Sequence, residues 1–389
     1  MAPEVKPDIK SFMREELLEQ FRQLGEPEYR VTQLLQWLYQ KRVADWDAMT
    51  NLPAALRATL RGKFSLAVLR LRRSQTAQDG TIKLLWELPD GAFVECVLIP
   101  ASPALYGQPS DRRTLCISTQ VGCAFRCRFC ASGLRGLKRN LRVEEIVEQV
   151  VATEREFSAR NGSFAPETVS ESEPYKSGKT TPRAGRVVDN LVLMGMGEPL
   201  ANYENVLKAL RILNAPWGGG IGARKITIST CGLPDQIRRL ADEPYQFRLA
   251  VSLHGATDAV RNRLMPVNRK FPLKELMAAC RYYRLKKGKM ITFEYVLING
   301  VNDSLDQAEL LAGLARELDA KINLIPFNRV EGLPWEAPSR FAQVAFFMAL
   351  KRLHPHVTLR REKGAEIDAA CGQLRLKTER ELERPDADE

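Results

Sequence analysis

Only three histidines, His254, His354 and His356, occur in this 389-residue chain, too few for a zinc centre built mainly from imidazole. No apolar run reaches the roughly 18 residues that a membrane span requires, and the opening MAPEVKPDIK lacks the apolar stretch of a signal peptide. A cytoplasmic protein with no membrane partner is therefore expected. Eight cysteines, at 96, 116, 123, 127, 130, 231, 280 and 371, are too few and too unevenly spread for the disulfide framework of a small secreted domain. No repeat of fixed period is visible. What is present is ordinary globular composition, 44% hydrophobic and 27% charged with a net charge of +11, which excludes collagen-like, coiled-coil-only and wholly disordered chains.

Apolar spacing divides the chain. Phe12, Leu17, Leu18 and Phe21, and then VTQLLQWLYQK, repeat at helical intervals, which predicts a helical domain over 1–63. From 64 to 101 short strand-like runs are separated by Gln78-Asp79-Gly80 and Pro89-Asp90-Gly91, a hairpin signal that predicts a small antiparallel extension. Over 102–366, apolar strands at 113–119, 190–195, 225–230, 248–253, 291–298 and 322–327 alternate with helical patterns. Such βα units place ligand-binding residues on the loops after the strand C-termini. Six units are too few for a closed barrel of about eight strands, so an α/β fold with an open, partial (β/α)6 barrel is expected, and a doubly wound sheet is the alternative. Residues 157–186, rich in Ser, Thr, Pro and Gly, read as a disordered insertion. Residues 367–389 form a C-terminal segment with Cys371 and a charged tail.

Chemistry concentrates in VGCAFRCRFCASG, where the cysteines fall as Cys123-x3-Cys127-x2-Cys130 after a predicted strand. Three thiolates on one loop suit three corners of a cubic [4Fe–4S] cluster and leave one iron open for reaction. Zinc and a redox thiol pair at Cys127 and Cys130 are the alternatives from spacing, although zinc wants a fourth ligand with no obvious local source. Two other motifs fail. Gly195-Met196-Gly197 reaches Leu200 where a dinucleotide fingerprint needs its third glycine, and Ser177-Gly178-Lys179-Thr180 has Glu173 where a phosphate-binding loop needs Gly.

The cysteine triplet and Met194-Gly195-Met196-Gly197-Glu198-Pro199 after the second strand resemble the radical-SAM superfamily, in which the open iron binds S-adenosylmethionine (SAM) and a Gly-Glu pair meets its amino group. A carboxylate can pair with an ammonium, and glycine lets backbone approach it. Thr114 to Cys123, Gly197-Glu198-Pro199-Leu200, Ser252-Leu253-His254, Ile325-Pro326-Phe327-Asn328 and Ala369 to Leu374 together resemble the RlmN family of radical-SAM RNA methyltransferases, over about residues 11 to 376. The resemblance implies formation of 2-methyladenosine in large-subunit (23S) rRNA and in tRNA, with two SAM molecules per turnover. It implies that Cys371 takes a methyl group from one SAM, and that a 5′-deoxyadenosyl radical from the other removes hydrogen from it. The carbon radical then adds to adenine C2. Glu95 is implied as the acceptor of the C2 proton, and Cys116 as the resolving thiol that forms a transient disulfide with Cys371. For SAM the resemblance carries over to Gly197, Glu198, Ser229, Ser252, Leu253, His254 and Asn328, and for the cluster to Cys123, Cys127 and Cys130.

Read without the resemblance, Cys116 is a buried strand cysteine, Glu95 a solvent-facing strand residue, and His254 a hydrogen-bonded core histidine. Ser229 and Asn328 are turn or cap residues, and Cys96, Cys231 and Cys280 are structural. The basic runs at 57–73 and at 126–142, the latter with Arg126, Arg128, Arg135, Lys138, Arg139 and Arg142, suit RNA phosphate or a solvated face. The resemblance implies a flavodoxin-like or ferredoxin-like electron donor, and a monomer is expected. Two alternatives stand beside it: a related Cfr-type enzyme that methylates adenine C8, and a non-catalytic RNA-binding protein with a structural metal.

Overall fold

The structure, a computed structural model, describes residues 6–101, 112–134, 136–160, 186–360 and 363–374. The charged tail beyond 374 lies outside them. The first unit is helical, as the 3.6-residue spacing predicts. Helix Arg14–Gln23 buries Leu17 and Phe21, and its first turn is closed by Glu16, which accepts from the Met13 N–H at 2.6 Å. Helix Tyr29–Leu35 runs on through a wide turn, Gln36–Gln40, that buries Trp37, Leu38 and Tyr39, and Ala54–Lys63 buries Leu56 and Leu60. The unit is joined to the long helix Val143–Arg160 by charge as well as apolar packing. Lys10 and Glu148 form a buried ion pair, Arg155 reaches the same carboxylate at 2.7 Å, and Arg42 lies 3.2 Å from Glu154.

Ten strands form one sheet in the order β1-β2-β3-β4-β7-β8-β9-β10-β11-β12. β1 (Arg70–Thr76), β2 (Ile82–Glu87), β3 (Phe93–Pro100) and β4 (Arg113–Cys116) run antiparallel to one another. From β4 onward every pairing is parallel, through β7 (Asn190–Leu193), β8 (Ile226–Thr230), β9 (Arg248–Ser252), β10 (Thr292–Leu297), β11 (Lys321–Pro326) and β12 (Val357–Leu359). A separate ribbon pairs β5 (Gln120–Gly122) with β6 (Leu137–Asn140). All six parallel strands predicted from apolar runs are present. β12 is a seventh, whose three residues are too few to show a period.

Strand alternation decides between the two candidate architectures. On β10, Phe293, Tyr295 and Leu297 pack into the core under the helices, whereas Glu294 and Val296 line a cleft on the other face. Ser229 of β8, Ser252 of β9 and Ile325 of β11 line that same cleft. A doubly wound sheet has helices over both faces; here one face carries helices and the other surrounds a cavity. The sheet ends at β1 and β12 without closing on itself, so the fold is an open, partial barrel extended by an antiparallel hairpin pair.

The segment predicted as an insertion from 157 begins later than its composition suggests. Helix Val143–Arg160 continues through its first four residues, and Phe157 is buried, because that aromatic completes the helix's apolar face. Residues 161–185 lie outside the described residues. Where the chain is described again, Glu154 accepts from the Val187 and Val188 N–H groups at 3.0 and 2.8 Å.

Candidate active site

The three clustered cysteines sit on the loop that leaves β5. Its shape is set by backbone: the Cys123 N–H donates to Gly136 O at 3.1 Å, and the Cys130 N–H to Cys127 O at 3.1 Å. The helical turn Ala131–Leu134 packs so closely that a Cβ on Gly133 would lie 2.9 Å from Arg126 Cα, a separation that only glycine avoids. All three thiols line one open cleft. Burial pushes each thiol up, Cys123 to about 12, and the neighbouring cysteines push Cys123 and Cys127 further the same way. Among the described residues no three His, Cys, Asp or Glu groups are gathered for a single ion. Zinc needs its sulfurs crowded at about 2.3 Å from one centre, whereas a cubic cluster takes one thiolate at each iron corner. Three cysteines on one cleft suit three corners of such a cluster.

Across the cleft, the loop after β7 is forced close to the β4–β5 connection. Gly195 would bring a Cβ within 2.6 Å of Ile117 O, and Gly197, at φ +98°, would bring one within 2.5 Å of Gln120 Cβ. Glu198 is buried there. Its carboxylate accepts from the Leu200 N–H at 3.0 Å and the Cys231 N–H at 2.7 Å, while its own N–H donates to Gln120 Oε1 at 2.9 Å. Burial raises its pKa and these backbone donors pull it back. Ser229, Ser252 and His254 complete this wall. His254 has φ +53°, and its Nδ1 accepts from the Val296 N–H at 3.0 Å. The proton must then sit on Nε2. Burial, aided by Arg261, lowers its pKa to about 3, so the ring is a neutral donor at physiological pH.

Two of the predicted SAM residues lie elsewhere. The Leu253 side chain belongs to the core, and its carbonyl accepts from Arg261 Nη1. Asn328 lines a neighbouring cavity that meets the first at Phe327. Its Nδ2 donates to Cys371 O at 3.1 Å, and its Oδ1 is a buried acceptor with no partner among the described residues.

The C-terminal segment brings in Cys371. From β12 the chain crosses to the antiparallel extension: Lys363 Nζ donates to Pro100 O at 2.7 Å, Gly364 N–H to Asp79 at 3.2 Å, and the Gln78 N–H to Glu366 at 2.5 Å. It then turns back, and the Ala131 N–H donates to Gly372 O at 2.8 Å. Cys371 is exposed on the cleft that also holds the cysteine triplet. Cys116 is buried in an inner apolar group with Val97, Met196, Ala369 and Leu374, and burial, then Cys371 beside it, pushes its thiol to about 12. Although the Cys371 residue as a whole is open to the cleft, the protein around its thiol raises that thiol by desolvation, against the charge and a hydrogen bond of the Arg360 guanidinium. All eight cysteines are free thiols.

Glu95 is not the solvent-facing residue that its apolar neighbours suggest. It is 2% exposed and lies on the inner face of β3, the face of Val97, which pairs with Cys116. Its neighbour Cys96 points outward to Gln149 Oε1 at 3.0 Å. Several site residues were not read from sequence. Cys231 lines the cleft, Glu294 accepts from Asn323 at 2.6 Å within it, and Arg360 and Lys83 carry charge to the inner face. Lys83, between the apolar residues of TIKLLWEL, carried the available signal, since a lysine buried in a strand requires a partner. The basic run at 126–142 is partly used internally: Arg139 pairs with Asp90 and Glu145, and Arg142 with Glu144 and Glu145.

Comparison with known proteins agrees with this geometry. Residues 8–66 match the family model described as the Ribosomal RNA large subunit methyltransferase N-terminal domain, and residues 183–311 match that of the Radical SAM superfamily. The chain is 51% identical to a "Probable dual-specificity RNA methyltransferase RlmN 3" of Opitutus terrae, covering 97% of this chain and 96% of that protein. It is 43% identical to the "Dual-specificity RNA methyltransferase RlmN" of Anaeromyxobacter sp., covering 96% and 91%. A crystal structure of a radical SAM methyltransferase from Sphaerobacter thermophilus superposes with a TM-score of 0.83 at 43% identity, covering 94% of this chain and 98% of that one. Full-length identity of this order, joined to a cleft that gathers the cysteine triplet with Cys371, shows that the chain belongs to the RlmN family of radical-SAM RNA methyltransferases.

Proposed function

We propose that this chain forms 2-methyladenosine in large-subunit rRNA and in tRNA, with Cys371 as the methyl carrier. The observation that carries the reading is the meeting of two distant segments: Cys371 lines the cleft of the cysteine triplet and lies beside Cys116 on the inner face that holds Glu95. When bound, the cluster and SAM supply a methyl group and a hydrogen-abstracting radical, chemistry that an electron-poor ring carbon requires.

The residues then divide the remaining work. Cys123, Cys127 and Cys130 would hold three irons and leave the fourth to SAM. Glu198 would meet the SAM ammonium, with Gly197 giving it room, and Ser229, Ser252 and the Nε2–H of His254 would donate to its polar atoms. Asn328 fixes the carbonyl of Cys371 and so orients the carrier. Glu95 takes the proton from C2, and the Cys116 thiol pairs with the Cys371 sulfur to release the methylated base. The target adenosine must leave its stack to enter the cleft, which is least costly from a single-stranded loop.

In this reading 1–63 is an RNA-binding domain, 64–101 supplies Glu95, 102–366 is the catalytic barrel and 367–389 is the carrier segment. Exposed Lys63, Arg70, Arg126 and Arg128 are the basic residues best placed for phosphate. The enzyme works as a cytoplasmic monomer reduced by a flavodoxin-like or ferredoxin-like donor. Anaerobic reconstitution with bacterial RNA and SAM tests the reading by nucleoside mass spectrometry: 2-methyladenosine is expected, and 8-methyladenosine or no product would overturn it. Cys116→Ala is expected to purify with RNA bound covalently through Cys371, and Cys371→Ala with none.

A further inference from the structure

Lys83 is a buried lysine on the inner face of β2. Its Nζ lies 3.7 Å from Glu95 Oε1, with both side chains nearly fully buried. The same Nζ donates to Asp368 O at 3.4 Å, three residues ahead of Cys371. Register explains the meeting. Lys83 pairs with Val97, and Val97 pairs with Cys116. Lys83, Glu95 and Cys116 therefore share one face of three adjacent antiparallel strands, and the carrier segment lies across it.

We propose that Lys83 is a positioning residue for the resolution step: its ammonium keeps Glu95 ionised and fixes the carrier segment at a set distance from that carboxylate. The proposal rests on the reading of Glu95 as proton acceptor. Burial favours the neutral form of a carboxyl, and a neutral acid cannot accept a proton. A neighbouring ammonium favours the carboxylate. In the step itself the C2–H bond of the RNA adduct breaks, its electron pair stays with the adduct, and an O–H bond forms on Glu95. The second contact of Lys83, to Asp368 O, ties the carboxylate to the backbone that delivers Cys371, so acceptor and carrier are referenced to one atom.

The test compares Lys83→Arg, Lys83→Gln and Glu95→Gln in the anaerobically reconstituted full chain with substrate RNA. Three quantities are read: methylation of Cys371, the covalent Cys371–RNA adduct, and released 2-methyladenosine. Lys83→Gln keeps a donor for Asp368 O and loses the charge. It is expected to methylate Cys371 normally, to accumulate adduct, and to release product at least about a hundredfold more slowly, the usual contribution of a general base. Lys83→Arg keeps the charge and should restore most of the rate. Adding Lys83→Gln to Glu95→Gln should cost little more than Glu95→Gln alone, because both act on one step. Normal turnover of Lys83→Gln beside a slow Glu95→Gln would overturn the assignment of Lys83 alone. Normal turnover of Glu95→Gln would overturn the proton-acceptor reading and this proposal with it. Loss of Cys371 methylation in Lys83→Gln, or failure of Lys83→Arg to restore the rate, would show that Lys83 acts only by holding the segment.

Discussion

Glu198→Gln separates the bracing contacts that the structure shows for one carboxylate from the ligand role proposed for it. As a brace, Glu198 accepts from the Leu200 and Cys231 N–H groups, tying the loop after β7 to the end of β8. As a ligand group it faces the cleft beside the cysteine triplet. Gln has the same shape, but it offers one oxygen and one NH2 where the carboxylate offers two acceptors. One backbone N–H then faces a donor, and a buried donor left unsatisfied costs about 1–3 kcal/mol. For a chain of this size that is a fall in melting temperature of about 1–4 °C. The ligand effect is separate. A hydrogen bond between charged groups contributes about 1.5–3 kcal/mol, so the affinity for SAM should fall by roughly 10–100-fold. Titration of the iron-reconstituted enzyme with SAM, followed by the change in the cluster spectrum, reads the second quantity, and thermal melting of the same preparation reads the first. A lower melting temperature with SAM affinity unchanged within about threefold would leave Glu198 as a brace and remove it from the ligand set.

Three further outcomes are expected. Anaerobic purification should give an oxygen-sensitive [4Fe–4S] chromophore with close to four irons per chain, lost in Cys127→Ala; stoichiometric zinc without iron would refute the cluster assignment. Replacing 163–183 by a short Gly/Ser linker should leave soluble yield and methylation nearly unchanged, with stability within about 0.5 kcal/mol. The reason is that Glu154 already anchors the chain at Val187 and Val188; loss of soluble protein would show that the segment is structural. The His254 ring, with its pKa lowered to about 3, should stay neutral and protonated on Nε2 across physiological pH in nitrogen NMR of the metal-free protein, and a titration in the ordinary histidine range would contradict the burial argument.

The parallel strands were legible because each is a short apolar run between helical patterns, and the cysteine triplet because its spacing is dense and local. Other features depend on partners that sequence does not place side by side. β12 has three residues and is a strand only because β11 lies alongside. Phe157 looks like the start of a polar segment until the core beneath its helix is seen. Glu95 reads as a solvent-facing alternate in an apolar strand, yet it and Lys83 are both buried, because the C-terminal segment covers the face they share. Arg139 and Arg142 look available for phosphate in a run without carboxylates, and they are paired with acids from the next helix and from the β2–β3 turn. Asn328 follows a strand end as expected, but its cavity adjoins the principal cleft, and no spacing rule distinguishes the two.

The pairing of β2 with β3 gives the turn between them a chemical meaning. Glu95 faces Leu85 and Cys96 faces Leu84 across the ladder, so carboxylate and thiol are neighbours in sequence and occupy opposite sides of the sheet. A slip of one residue would exchange them, pointing a thiol at Cys116 and burying a charge against Gln149. The phase is held by Ser118, whose Oγ donates to Glu95 O at 2.7 Å, and by Gln149, whose Oε1 accepts from both the Ser118 N–H and Cys96 Sγ. The length of the β2–β3 turn, closed by the Leu88 N–H donating to Ala92 O at 2.8 Å, thus acts as a parity setting. Adding or removing a single residue there would turn Cys96, in place of Glu95, onto the inner face beside Cys116.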